Sequence, residues 1–417
     1  MFFSDSAFLR LGFFYLFAVF MAVSYFSADG NALYYVLVAP FFVYGVFLVV
    51  LRVGVRFSVS AGFLFLLLFV GAVLCMPPFE KSSIYARALF LEMLLLFFLL
   101  SRYRFSMSDF SGFINLGYAF YLGVSLLIWA GLIPAAAGER NSFMVSLAGF
   151  SVETLYGIGG STADIDSYSG LVLMWNLFVN RGGRYRLVMI GLSAVAMLLT
   201  FRFTPIVALL AACLSYLFVR NRLLAMLALV LPAVGFVCVL SILQVDPTAQ
   251  VPFMAIGNDW YSLLWKATHA RSSIWVGQVN YYLTEFRFSD FFFGPMDERM
   301  TVDFIDGDGR FHKDSYNPHN TYLALLFHST VLFAFFYLLF LWGVFRRVRV
   351  NTFPVIFFIS IVAYTNASII GLQNPVFLMV TIFLLTAVPP APFSERYRRP
   401  RRGWTEQRSD IQGQVSC

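Results

Sequence analysis

Apolar runs long enough to cross a membrane recur through almost the whole chain, and they constrain its fold more than any other feature. The sequence is 60% hydrophobic and 12% charged, with 50 phenylalanines among 417 residues. A soluble domain is about a quarter charged. Because only helices and closed barrels can span a bilayer, many separate apolar runs predict an integral membrane protein built from helices.

Twelve candidate spans follow from the apolar runs, although several are shorter than the roughly 20 residues that a straight span needs. One long helix could replace the pair 187–201 and 205–219, but Arg202 and Pro205 between them favour a re-entry or a tight hairpin. The candidate spans are 8–27, 32–50, 58–76, 86–101, 111–134, 167–180, 187–201, 205–219, 223–244, 321–345, 353–369 and 375–389.

Clusters of arginine between the spans test this count. Every strong cluster follows an even-numbered span, and Lys and Arg accumulate on cytoplasmic loops. The alternation therefore predicts a cytoplasmic N-terminus and supports the break at Arg202, since one helix over 187–219 would move the later clusters to the wrong side. The clusters are Arg52 and Arg56; Arg102 and Arg104; Arg181, Arg184 and Arg186; Arg220 and Arg222; Arg346, Arg347 and Arg349; and Arg396, Arg398, Arg399, Arg401 and Arg402.

A long polar interval from Gln244 to Tyr322 separates the last three spans from the others. Its aromatic-rich part, roughly 258–285, is typical of an amphipathic helix lying along the membrane. The sequence thus predicts an all-α polytopic membrane protein with about twelve transmembrane helices and one large extracytoplasmic loop containing helices. The expected divisions are 1–244 (an N-terminal bundle of about nine spans), 245–320 (the loop), 321–389 (three spans) and 390–417 (a basic cytoplasmic tail).

Arg202 lies in the stretch LLTFRFTP, on the extracytoplasmic side, opposite to the side of the strong arginine clusters. An arginine at this boundary is often only an interfacial anchor. Its planar fork can also hold a diphosphate through two hydrogen bonds. An arginine at this position is consistent with both an interfacial anchor and a diphosphate-binding residue.

Arg271 and Trp275 lie in the long polar interval, in the stretch THARSSIW, among further aromatic residues. Such aromatics usually form an interfacial belt, and they can equally stack on the apolar face of a sugar ring. At the end of the interval, His319 and Asn320 precede the next span. A histidine there is most often structural, but a neutral imidazole could take a proton from an attacking hydroxyl, and Asn320 could donate hydrogen bonds or cap the helix.

Acidic residues gather in two extracytoplasmic places. Asp164 and Asp166 stand at the membrane end of the third loop, where paired carboxylates could bind an acceptor, but ordinary loop solvation is the simpler interpretation. Asp303, Asp306 and Asp308 resemble part of a calcium loop without its ligand spacing or closing glutamate, which favours a solvated turn. The four cysteines are far apart, so we expect no disulfide framework, no metal site and no cofactor.

Together these features resemble the O-antigen ligase and polymerase superfamily of bacterial membrane glycosyltransferases. The similarity covers roughly residues 145–345. It lies in the number of spans, the large late loop and three short motifs. The motifs are LLTFR ending at Arg202, RSSIW beginning at Arg271, and HNTYL beginning at His319.

The resemblance implies a GT-C-like protein of the bacterial inner membrane that performs a metal-independent, inverting transfer of a glycan. The donor would be linked to undecaprenyl diphosphate, and the acceptor would be a saccharide on the periplasmic face. By this resemblance, Arg202 and Arg271 would hold the departing diphosphate and His319 would activate the acceptor hydroxyl. The expected substrate-binding residues are Asn320, Trp275, Tyr322 and Asp166. Membrane lipids and a chain-length regulator are further expected partners, and nucleic acid is not.

Three versions of this function differ in the acceptor that receives the glycan. A polymerase of O-antigen or exopolysaccharide repeat units is the favoured one, and the alternatives are the ligase that transfers the glycan to lipid A–core and a pilin-directed oligosaccharyltransferase. A polysaccharide transporter or flippase is the alternative from another class. Transporters place polar groups near the membrane midplane, whereas here they concentrate in extracytoplasmic loops, which favours an enzyme.

Overall fold

A computed structural model of the protein describes a helical core between residues 107 and 219 and a few segments beyond it. The predicted spans 8–27, 58–76, 86–101, 223–244 and 375–389 and the tail 390–417 lie outside the described residues, and 32–50 and 321–345 are represented by single residues. The described residues are 107–134, 142–147, 149–158, 162–183, 185–219, 302–305, 311–314 and 350–363, with Ala39, Val43, Trp275, Arg287, Phe288, Asn320, Phe335, Phe336 and Leu339.

Helix α1 spans Met107–Trp129, close to the predicted span 111–134. Its part Phe110–Trp129 has 20 residues and a mean hydropathy of 1.5, and among the described residues it is the helix long and apolar enough to cross a membrane. The helix ends in a Schellman motif, because Gly131 has a φ of 74° and Leu132 N–H donates to the carbonyl of Leu127.

Helix α2 spans Thr162–Met174 and continues as a π-helix over Trp175–Val179. It begins earlier than the predicted span 167–180, since the polar residues at its start are buried by their neighbours. Leu171, Val172 and Trp175 are fully buried, so this helix forms the centre of the described bundle. The bundle packs around it with helices α3 (Arg186–Leu199), α4 (Phe203–Phe218) and α5 (Phe353–Val362).

Polar contacts fix α1 against α2 and the π-helix. Trp175 Nε1 donates to Ser111 Oγ at 2.9 Å, and the side-chain amides of Asn115 and Asn176 exchange two hydrogen bonds, at 3.1 and 2.7 Å. Further along, the Tyr118 hydroxyl lies 2.8 Å from Ser169 Oγ. Residue numbers rise along α1 as they fall along α2, so the two helices run antiparallel.

The break predicted at Arg202 is confirmed. Helix α3 ends at Leu199 and α4 begins at Phe203. The far ends of both helices lie together, because Arg186 Nε donates to the carbonyl of Asn176 at 2.8 Å and Arg181 Nη2 donates to the Tyr216 hydroxyl at 2.8 Å. The chain therefore reverses direction at the break.

The bundle consequently has two unlike ends. The end that carries Arg181, Arg186 and Tyr216 is called the basic end, and the end that carries Asp166 and Arg202 is called the Arg202 end. The predicted alternation of arginines requires these two groups to lie at opposite ends of the helices, and the described part of the chain has that arrangement.

The described residues also contain two β-hairpins, whereas the sequence predicted helices alone. Strands β1 (Met144–Leu147) and β2 (Phe150–Glu153) pair antiparallel in the third loop, with Gly149 at a φ of 86° in the turn. Strands β3 (Val302–Ile305) and β4 (Phe311–Asp314) pair in the acidic part of the long loop, with Asp303 opposite Lys313. Asp306 and Asp308, predicted to form a solvated turn, lie outside the described residues.

Helix α5 packs closely on α2, and a glycine makes this possible. Pro354 stands in the first turn of α5, where its missing N–H is not needed. A Cβ atom added at Gly170 would overlap the ring of Phe358, which is itself fully buried. The predicted span 353–369 therefore begins as a buried helix, and its part after residue 363 lies outside the described residues.

We expect Gly170→Ala to lower the free energy of unfolding by roughly 2 kcal/mol, because the buried Phe358 ring cannot move aside without displacing its neighbours. Gly191→Ala is the matched control, since no side chain or neighbouring element among the described residues lies within 4 Å of a Cβ at this helical glycine. Chemical unfolding of the purified protein in detergent measures both variants. Equal stability of the two variants would contradict the close packing of α5 on α2.

Candidate active site at the Arg202 end

A buried ion pair joins α2 to the break between α3 and α4. Arg202 Nη1 lies 3.2 Å from Asp166 Oδ2. The side chain of Asp166 is 1% exposed and that of Arg202 is 16% exposed. Two residues that the sequence separates by a whole helix, and that were both predicted to belong to the site, thus meet at one point.

The backbone of the break aims the arginine. Phe201 has a φ of 51°, in the left-handed region where a residue other than glycine costs about 1 kcal/mol. Its N–H donates to the carbonyl of Leu198 at 3.1 Å, which closes the end of α3. Arg202 then returns to an extended conformation as the N-cap of α4, so its side chain leaves the chain where one helix has ended and the next has not begun.

The third loop supports the same end of the bundle. Leu155 N–H donates to the carbonyl of Leu199 at 2.9 Å. Trp129 Nε1 donates to the carbonyl of Glu153 at 3.1 Å, and Ser142 Oγ donates to Glu153 Oε1 at 2.6 Å. The hairpin β1–β2 is therefore tied both to the end of α1 and to the end of α3.

Burial controls the ionisation of the Asp166 carboxyl. This residue directly precedes the predicted span 167–180. Loss of solvation raises the pKa of this carboxyl from 3.8 to about 7, against the opposing effects of the Arg202 charge and the Ser167 hydroxyl. Ser167 Oγ donates to Oδ1 at 2.9 Å. Among the described residues Oδ2 receives no aligned hydrogen bond, so the Arg202 charge is its main support. Simple loop solvation, the interpretation favoured for Asp166 from sequence, is wrong.

The ion pair leaves part of the guanidinium open. Asp166 meets Nη1, and among the described residues no acceptor bonds to the edge formed by Nε and Nη2. That edge presents two parallel N–H bonds, the geometry that matches two oxygens of a phosphate. As the N-cap of α4, Arg202 also stands at the positive end of that helix dipole.

A cluster of buried tyrosines lies next to Asp166 along α2, and sequence reasoning missed it. The ring of Tyr168 lies 5.1 Å from that of Tyr118 and 5.4 Å from that of Tyr121, between ring centroids. All three are buried, and the Tyr168 hydroxyl has no hydrogen-bond partner among the described residues. Three tyrosines in otherwise apolar runs were the signal that could have drawn attention to this position.

The other predicted site residues are less fully described. Arg271, His319 and Tyr322 lie outside the described residues. Trp275 is 5% exposed and Asn320 is fully buried, so neither side chain presents a solvated surface. The structure thus brings together Asp166 and Arg202.

Within the described segments, no three His, Cys, Asp or Glu side chains lie close enough to hold a metal ion.

Comparison with known proteins found no family model, no curated protein and no solved structure that matches the chain. Function is therefore proposed from the residues of this chain.

We expect Arg202→Gln to destabilise the protein more than Asp166→Asn, by roughly 3 against 1 kcal/mol at about pH 8, because the first variant strands a buried carboxylate. A carboxyl whose pKa is raised by folding loses stability as pH rises through the folded pKa. The Arg202 charge lowers the pKa of Asp166, so Arg202→Gln raises that pKa above about 7. The penalty of Arg202→Gln is therefore largest at high pH, shrinks as pH falls towards about 7, and is small below it, where Asp166 is protonated in both proteins.

Unfolding in detergent at both sides of this pH measures the effect, and Asp166→Asn combined with Arg202→Gln is the control that removes both charges. The double variant should be more stable than Arg202→Gln alone. A penalty for Arg202→Gln that is the same at both pH values would contradict the pairing.

Proposed function

We propose that the protein is an inner-membrane glycosyltransferase that moves a glycan from an undecaprenyl-diphosphate carrier to a saccharide acceptor on the periplasmic face. The observation that carries the proposal is the Arg202 guanidinium, which buried Asp166 holds at Nη1 and whose Nε–Nη2 edge meets no acceptor among the described residues. A fixed cation with a free fork is suited to a diphosphate whose negative charge grows as the glycan leaves.

The two unlike ends of the bundle support the proposed orientation. Arg181 and Arg186 lie at the basic end, where the positive-inside rule expects the cytoplasm, and α4 ends there one residue before Val219 and the arginines that follow. Arg202 lies at the opposite end with the carboxylate of Asp166. A glycan carrier exposed on the periplasmic face would meet the Arg202 end.

The outer surface of α4 supports a lipid environment. Its exposed large side chains are Phe203, Val207, Leu210, Leu214 and Leu217. Their spacing of three and four residues places them in one stripe roughly 21 Å long. The corresponding exposed residues of α3 are Leu187, Val188, Leu192, Val195 and Leu198. Such stripes are costly in water, whereas a bilayer accommodates them.

In the proposed reaction, an acceptor hydroxyl attacks the anomeric carbon of the donor glycan. The new glycosidic C–O bond forms as the bond to the diphosphate oxygen breaks, and the carrier diphosphate keeps the electron pair. Arg202, with Arg271 in the proposed site, would stabilise that charge. His319 would accept the hydroxyl proton.

The polymerase, ligase and pilin-directed versions of this function share the donor and differ in the acceptor, with the polymerase favoured. A lipopolysaccharide gel from a deletion strain separates them. Core with one repeat unit indicates the polymerase, naked core with accumulated lipid-linked polymer indicates the ligase, and normal ladders with unmodified pilin indicate the protein-directed enzyme. Glycan transfer by the purified protein excludes a transporter without enzymatic activity.

We expect Arg202→Ala to reduce glycan transfer by more than about 100-fold, and Arg202→Lys to reduce it clearly, because lysine lacks the two-pronged fork. Arg181→Ala is the matched control, since Arg181 is an exposed arginine at the basic end that contacts Tyr216. Transfer from a lipid-diphosphate donor by protein in nanodiscs measures the three variants. Wild-type rates with Arg202→Ala, or equal losses with Arg181→Ala, would exclude the proposed role of Arg202.

A further inference from the structure

At the Arg202 end, the guanidinium has a buried carboxyl on one side and, among the described residues, no acceptor at its other edge. Asp166 Oδ2 lies 3.2 Å from Nη1 of Arg202, and a diphosphate held at Nε and Nη2 would lie within a few ångströms of the same guanidinium. Two negative groups would then lie against the same guanidinium, even where Arg271 adds a second positive charge at the diphosphate in the proposed site. A like charge at such a distance disfavours the ionised form of a buried carboxyl.

No other charge among the described residues offsets this conflict. On the same helix Asp164 is acidic, and its charge acts in the same direction as the diphosphate. From the neighbouring helices, α3 has its charged residue, Arg186, at the basic end, and α4 and α5 have none between their first and last residues. The titratable groups on α1 near this end are Tyr118 and Tyr121, which are neutral at physiological pH. In the hairpin of the third loop, the acid Glu153 accepts a hydrogen bond from Ser142.

The carboxyl itself is the group that can resolve the conflict. Its Oδ1 accepts a hydrogen bond from Ser167, whereas Oδ2 receives no aligned hydrogen bond among the described residues. A proton on Oδ2 therefore displaces no aligned hydrogen bond, and what it removes is the charge that pairs with Arg202 Nη1 at 3.2 Å. Burial raises the pKa of Asp166 to about 7, and a negative charge bound beside it shifts the carboxyl further toward the protonated form.

We propose that Asp166 regulates the charge of the anion site at Arg202, so that binding of a lipid diphosphate is coupled to uptake of one proton from solvent onto Asp166 Oδ2. The inference rests on the proposed function, because it takes the diphosphate to bind at Arg202. Protonation frees the full guanidinium charge for the bound diphosphate. Deprotonation restores the Asp166–Arg202 pair, which weakens the hold on the diphosphate and favours its release.

Calorimetry tests the coupling with full-length protein in nanodiscs and farnesyl diphosphate as the probe. Titrations in buffers of different ionisation enthalpy give the number of protons taken up on binding. We expect wild type to take up more protons than Asp166→Asn, and its affinity to gain about tenfold over that variant's between about pH 8 and pH 6. Asp164→Asn, which removes the neighbouring acid but keeps Asp166, should still take up more protons on binding than Asp166→Asn.

Infrared difference spectra of wild type provide a readout that needs no variant at Asp166. On addition of farnesyl diphosphate we expect the band of a protonated carboxyl to grow while a carboxylate band declines. The absence of this change, or equal proton uptake in wild type and Asp166→Asn, would overturn the coupling. If either result is found while Arg202→Ala abolishes binding of the probe, the coupling fails and the proposed donor site stands. If wild type and Arg202→Ala bind the probe equally, or neither binds it, both fail.

Discussion

Burial of the Asp166 carboxylate is the constraint on which the Arg202 end depends. A carboxylate that is 1% exposed needs a positive neighbour, and the neighbour must come from the break between α3 and α4. The left-handed Phe201 and the extended Arg202 supply it. The strained backbone of Phe201 places the Arg202 guanidinium beside the Asp166 carboxylate. This pairing connects α2 to α3 and α4 at the end proposed to meet the donor.

At the basic end, by contrast, the polar groups bond to one another and to the backbone. There Arg186 donates to the carbonyls of Asn176 and Leu177 at 2.8 and 3.4 Å, where the π-helix leaves carbonyls without helical partners. The amides of Asn115 and Asn176 bond to each other across two helices. These groups satisfy one another and fasten the helices together. At the Arg202 end no described residue bonds to the Nε–Nη2 edge of the guanidinium. That is the physical difference between a structural arginine and one proposed to bind a ligand.

The sequence predicted the helices of the described core within a few residues, because apolar runs and arginine alternation report helix position and direction. The break at Arg202 followed from that alternation. The pairing of Asp166 with Arg202 could not be predicted from the sequence. The residues DIDS are typical of a polar loop, and only the packing of neighbouring helices buries them. The π-helix, the β1–β2 hairpin and the conformation of Phe201 were missed for the same reason: tertiary contacts, and no local pattern, determine them.

The central claim is that the Asp166–Arg202 pair lies at the end of the bundle that faces away from the cytoplasm. Single cysteines at Phe150, which is 75% exposed beside that end, and at Gly182, exposed at the basic end, test it in a background without the native cysteines. A membrane-impermeant maleimide should label Phe150→Cys in intact spheroplasts and label Gly182→Cys only after lysis. Labelling in the reverse order, or equal labelling before lysis, would contradict the orientation and with it the proposed donor site.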